Sequence, residues 1–200
     1  MQKKVNLFEK CEIKEGPREH RSATSVVTVD FVWVDECNCT NTITHAHAVA
    51  LKFMKFHDQF QREVETRSRG DFDTRYVIPI TCSYDGEKQD VVNKRFRADA
   101  KLKGFELYPY CVVMEAASQS LKRLIDQQHI VGTDWDEIRR IGRQVAGCLK
   151  HLHERGYVHG DIKRKKNVLD LNHVGVGGAA EYYIAYLYAS FNCCAHDRSL

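Results

Sequence analysis

Lys52 closes the run Val49-Ala50-Leu51-Lys52, whose strand-like alternation puts Val49 and Leu51 on one face and sends the lysine ammonium to the other, where it can meet a ligand. Near the other end of the chain, Asp161 and Lys163 bring a carboxylate and an ammonium into one loop, Tyr157-Val158-His159-Gly160-Asp161-Ile162-Lys163, with Asn167 a few residues on. The basic run Arg164-Lys165-Lys166 beside them could grip phosphate or an acidic peptide, or could simply be solvated. Cys37-x-Cys39 and His45-x-His47 could offer two thiolates and two imidazoles to zinc across a hairpin. That spacing matches no established zinc motif, and solvated loop residues are the reading we adopt.

These residues need elements to hold them. Ser25 to Val34 alternates Val27, Val29, Phe31 and Trp33 against Thr28 and Asp30, which predicts a strand. A second strand is expected from His47 to Phe56, with Cys37 to His45 a polar connection between the two. Asp58, with Gln61 three residues on, reads as the cap of a helix that carries Phe60 and Val64 and stops near Gly70. The run Arg75 to Ile80 reads as a strand whose bonding Pro79 limits, ended by the turn signal Asp85-Gly86. A basic linker then leads to a buried strand at Tyr110 to Met114. From there the period becomes helical: Leu121, Leu124 and Ile125 form a short stripe. Thr133 with Asp136 resembles a capping box for a long helix to about Arg155. Ile138, Ile141, Val145, Cys148, Leu149 and Leu152 share the apolar face of that helix, and Gly156 ends it. The order predicts an α+β fold, an antiparallel sheet lobe followed by a helical one.

Composition narrows the function. With 200 residues, 43% of them hydrophobic, the chain can bury a core. Its 30 basic and 27 acidic residues are interspersed, so no strong field points to nucleic acid or to a membrane surface. Tyr182 to Phe191 is the most membrane-like stretch, and it is too short to cross a bilayer. No apolar run of signal-peptide length lies in residues 1–20, so the eight cysteines are expected to be thiols in a reducing compartment, the cytoplasm.

The chemistry-bearing segments together resemble the protein kinase family, of serine/threonine type. Val49 to Lys52 is similar to the family's V-A-I-K strand, and Glu63, at F-x-x-E spacing after Phe60, to its regulatory helix. Val112-Val113-Met114-Glu115-Ala116-Ala117 is similar to its hinge, and His159 to Asn167 to its H-R-D-L-K-x-x-N catalytic loop. The matches fall in family order between residues 47 and 169. The resemblance implies ATP and Mg2+ as cofactors and a protein hydroxyl as acceptor. Lys52 would pair with the α- and β-phosphates and Glu63 would hold Lys52. Met114 would sit at the back of the pocket, with Glu115 and Ala117 on the adenine edge. Asp161 would orient the hydroxyl, Lys163 would approach the transferred phosphoryl and Asn167 would ligate magnesium. Within the residues themselves, Glu63 could equally pair with Arg67 at i,i+4. Glu65 is the other family assignment for the regulatory carboxylate; Glu63 is the one we adopt, because Phe60 and Val64 fix the buried stripe beside it.

The sequence also departs from the family. Lys166 stands five residues after Asp161, where the family has asparagine, and Asn167 comes one later. Gly160 replaces the arginine that pairs with a phosphorylated activation segment, and the only glycine before Lys52 is Gly16. No Asp-Phe-Gly follows the loop, and from His173 onward only Glu181, Asp197 and Arg198 are charged. The expected organisation is a small lobe over 1–115, a partial large lobe over 116–172 and a divergent tail over 173–200. Catalysis would then be impaired, and the apolar stripe from Ile138 to Leu152 would be partly uncovered and open to a protein partner.

Overall fold

The computed structural model describes residues 11–34, 46–69, 71–102, 104–116, 119–129, 132–159, 168–170, 183–185 and 192–193. Two compact units divide the chain: Met1–Val64 with Ile80–Ala116, and Glu65–Pro79 with Ala117–Leu200.

The first unit is built on a five-stranded antiparallel sheet, with β1 (Cys11–Arg21), β2 (Ser25–Val34), β3 (Ala46–Met54), β4 (Ile80–Asp85) and β5 (Tyr110–Glu115) in the order β1-β2-β3-β5-β4. Period-two alternation divides β3 between the two faces of the sheet. Val49, Leu51 and Phe53 are buried with Val26, Tyr84, Cys111 and Val113 on one face. Lys52, on the other, stands directly opposite Val27 of β2 and Val112 of β5.

A helix covers each face. Helix α1 (His57–Ser68) lies on the Lys52 side, where Phe60 stacks on Tyr110 at 5.2 Å between ring centroids. Helix α2 (Val91–Leu102) lies on the other, delivering Phe96 and Ala100 to the core cluster. Phe96 stacks at 5.2 Å from Tyr84, and Phe105, just beyond the helix, stacks at 4.3 Å from Phe53.

Helix α2 replaces the basic linker expected after Gly86. Asp90 caps it, accepting from the Asn93 N–H at 2.9 Å, and Phe96 with Ala100 at i,i+4 forms the stripe that meets the sheet. Strand β1 was not anticipated either, because charges interrupt its pattern. It is an edge strand whose register with β2 breaks between Ile13 and Arg18, and the break accommodates Gly16-Pro17. Arg75 to Ile80 is not a strand: residues 74–76 turn, and β4 begins only at Ile80. Helix α1 begins one residue before Asp58, so that carboxylate lies inside the first turn and pairs with Arg62 at 2.8 Å.

The second unit holds β6 (Gln119–Ser120), α3 (Leu121–Gln128), α4 (Trp135–His153) and β7 (Tyr157–Val158). Short strands β8 (Val168–Asp170), β9 (Tyr183–Ala185) and β10 (Asn192–Cys193) complete it, pairing in the orders β6-β8-β9 and β10-β7. Asp134 caps α4 in place of Thr133, its carboxylate accepting from the Glu137 N–H at 2.9 Å. Ile141, Cys148 and Leu152 of α4 are buried with Val77, Leu121 and Tyr157, whereas Ile138, Val145 and Leu149 are half-buried. No helix among the described residues is long and apolar enough to cross a membrane.

Two glycines give opposite expectations. A Cβ on Gly86, in the turn after β4, would stand 2.3 Å from the Pro109 carbonyl oxygen, whereas one on Gly142 of α4 meets nothing within 4 Å. Gly86→Ala is expected to lower stability by about 1–3 kcal/mol in chemical denaturation. Gly142→Ala should raise it by up to about 1 kcal/mol in the same measurement.

Candidate functional site

Three local facts converge on Lys52. Its strand is flanked by β2 and β5, so its backbone is held on both sides. Alternation aims its side chain at α1, and the Phe60–Tyr110 stack seats α1 against that face. Glu63 lies three residues after Phe60, on the same helix face, and so turns toward the sheet. The outcome is an ion pair, Lys52 Nζ to Glu63 Oε2 at 2.9 Å, with the two residues only 6% and 4% exposed.

The surroundings make this pair obligatory. Val27 and Val112 stand opposite Lys52 on the neighbouring strands, and Ala50 and Met54 flank it on its own face. All four are buried. An ammonium in such a setting loses most of its hydration, and a carboxylate in hydrogen-bond contact offsets that loss. It has three N–H donors, of which Glu63 is the one partner found among the described residues. The remaining donors can serve an anion such as a phosphate.

Met114 lies on the same face, paired with Ala50, and is fully buried. Glu115 ends β5 opposite Val49 and is half-buried. Glu65 is exposed, and Arg67 donates to the Ile78 carbonyl at 2.5 Å while Glu63 takes Lys52. The structure thus brings Lys52, Glu63 and Met114 to one sheet face.

His159, after β7 in the second unit, is buried. Ala117, Asp161, Lys163 and Asn167 lie outside the described residues, as do Gly160, Lys166, Cys37, Cys39 and His45. Among the described residues no group of three or more His, Cys, Asp or Glu side chains could hold a metal ion.

One polar cluster went unnoticed in the sequence. His151 on α4 is buried between aromatic rings and accepts from the Asp73 backbone N–H at 3.1 Å. Its signal was a histidine set on the apolar stripe, adjacent to Leu152 and three residues past Cys148.

No protein-family model matches the chain, and no curated protein does.

Removing one partner of the pair strands the other without water. Lys52→Met or Glu63→Leu alone is expected to cost about 3 kcal/mol or more, by urea denaturation. The double variant Lys52→Met/Glu63→Leu should recover most of that loss, giving a coupling energy well above the ~0.5 kcal/mol typical of an exposed pair.

Proposed function

We propose that this chain is a protein kinase domain that binds ATP with magnesium, serine/threonine-directed, and acts in the cytoplasm. The observation that carries the reading is the buried Lys52–Glu63 pair, formed between the third strand and the helix that follows it. In protein kinases a lysine on the third strand and a glutamate on the next helix must pair for the phosphates to be held. On this reading the first unit belongs to the small lobe and the second to the large lobe. Lys52 takes the α- and β-phosphates through its remaining donors. Met114 backs the adenine pocket, and Glu115 and Ala117 offer backbone groups to the base. Asp161 orients the acceptor hydroxyl of a protein substrate, Lys163 neutralises the transferred phosphoryl and Asn167 ligates magnesium.

A second reading, a kinase-like module that binds nucleotide or a protein partner without turnover, is favoured by specific residues. Lys166 stands where the family's magnesium ligand belongs, and residues 168–200 contain no Asp-Phe-Gly. Phosphoryl transfer depends on metal neutralisation of the developing charge, so loss of those ligands suppresses turnover more than binding. The half-buried Ile138, Val145 and Leu149 are where a partner would add contact.

Fluorescence anisotropy with a labelled ATP analogue and Mg2+ tests the shared claim. The wild-type protein should bind, and Lys52→Met, shown by circular dichroism to be folded, should bind at least about tenfold more weakly, the loss of one charged phosphate contact. A folded wild-type protein without affinity at millimolar nucleotide rejects both nucleotide readings. Transfer of radiolabelled phosphate to a generic protein substrate, abolished in Asp161→Ala, selects the active kinase. Binding with transfer no higher than in Asp161→Ala selects the non-transferring module.

A further inference from the structure

Segment 71–79, which follows α1, belongs to the second unit and is fastened to α4 by polar ties. Arg155 Nε donates to the Asp71 carbonyl at 2.6 Å, and the Cys148 thiol donates to the Tyr76 carbonyl at 3.3 Å. The third tie runs the other way: the Asp73 N–H donates to His151 Nε2 at 3.1 Å.

Asp73 is the pivot of the segment. Its carbonyl accepts from the N–H groups of Tyr76 and Val77, at 2.9 and 3.1 Å, and its carboxylate accepts from the Arg75 backbone and guanidinium. That turn sets Val77 into the buried cluster with Leu121, Cys148, Leu152 and Tyr157. The Asp73 N–H itself points out of the turn, and the imidazole satisfies it.

These ties respond differently to protons. Arginine stays charged throughout the accessible range. Burial pushes the Cys148 thiol up to about 12, so it remains a donor. The Arg75 guanidinium holds the Asp73 carboxyl down at about 2, so it remains an anion. His151 is the exception: accepting at Nε2 places its single ring proton on Nδ1, and a second proton can go only to Nε2, where it abolishes the bond to Asp73.

We propose that His151 is a proton-operated latch: neutral, it clamps the 73–77 turn to α4, and protonated, it lets the turn go. Charged groups on both sides of the ring set its threshold. Burial first, then the cation of Arg155 and more weakly that of Arg75, disfavour the imidazolium, while the anions of Asp73 and Glu154 favour it. The balance lies below the ordinary histidine value, and the rings of Tyr76 at 4.9 Å and Phe72 at 6.0 Å add no charge to it. The folded protein therefore resists a proton that the unfolded chain accepts. The stabilisation is complete above about pH 6.5 and is lost as pH falls from there toward the depressed folded value. The latch is independent of nucleotide binding.

Amide hydrogen exchange by NMR, corrected for intrinsic rates, reads the latch in the whole chain. Between about pH 7.5 and about pH 5, protection of the Asp73, Tyr76 and Val77 amides should fall by more than about threefold as the ring takes its second proton. In His151→Gln, whose side-chain oxygen can accept the same bond but cannot titrate, protection should stay level. A fall of less than threefold in the wild type, or an equal fall in the variant, overturns the proposal. Should the variant not fold, the wild-type His151 ring shift and the Asp73 amide shift must titrate with one midpoint, and separate midpoints overturn it.

Discussion

A charged ammonium facing an apolar sheet surface is tolerable only while a carboxylate touches it, and that requirement organises the first unit. Lys52 sits among Val27, Ala50, Met54 and Val112, so hydration can contribute little to its charge. Glu63 meets the need at 2.9 Å, but only while α1 lies flat on that face. The Phe60–Tyr110 stack supplies the apolar side of the same contact. Helix position and charge pairing thus depend on each other: sliding α1 along the sheet would unstack the rings and leave two buried charges apart.

The opposite face is closed by different means. Helix α2 and Phe105 present aromatic rings to Phe53 and Tyr84, so the sheet between the helices is covered on both sides. Two-sided burial explains why β5 reads as an unbroken apolar run from Tyr110 to Met114 and not as an alternation. It also gives each residue of β3 a fixed neighbourhood. Val49, Leu51 and Phe53 pack into the α2 core, while Lys52 alone of its strand carries charge to the α1 side.

The second unit relies on polar closure to a greater degree. Among the described residues its apolar cluster joins Val77, Leu121 and Tyr157 to the α4 stripe, and segment 71–79, largely exposed or half-buried, is held mainly through its backbone groups. Side chains of α4 and its C-terminal end provide the partners: a guanidinium, a thiol and an imidazole, each matched to one backbone atom. Arg69 adds a contact to the Tyr157 hydroxyl at 3.0 Å. Such ties specify one docked geometry more sharply than apolar contact does, because a backbone donor without its acceptor is costly when buried.

Local sequence determined those features whose cause is local. Period-two alternation at Ser25–Val34 and around Lys52, the buried run of β5 and the apolar stripe of α4 each follow from the side-chain geometry of a single element. Resemblance to the kinase motifs, not spacing alone, nominated Lys52, Glu63 and Met114. Spacing could not choose between Arg67 and Lys52 as the partner of Glu63, because an i,i+4 pair is always at hand on a helix whereas a pair across the sheet needs that helix docked. Glu63 stood ahead of Glu65 only through the stripe of Phe60 and Val64 beside it. Helix α2 escaped notice because Phe96 and Ala100 look sparse until the sheet face they cover exists. The edge strand β1 escaped because its pairing is made by backbone atoms, to which its charged side chains give no clue. His151, bordering the apolar stripe of α4, carries no local sign of a partner. Only the tertiary fold, by carrying the Asp73 N–H to its ring, made it an acceptor, since a buried polar group takes its role from whatever long-range packing places beside it.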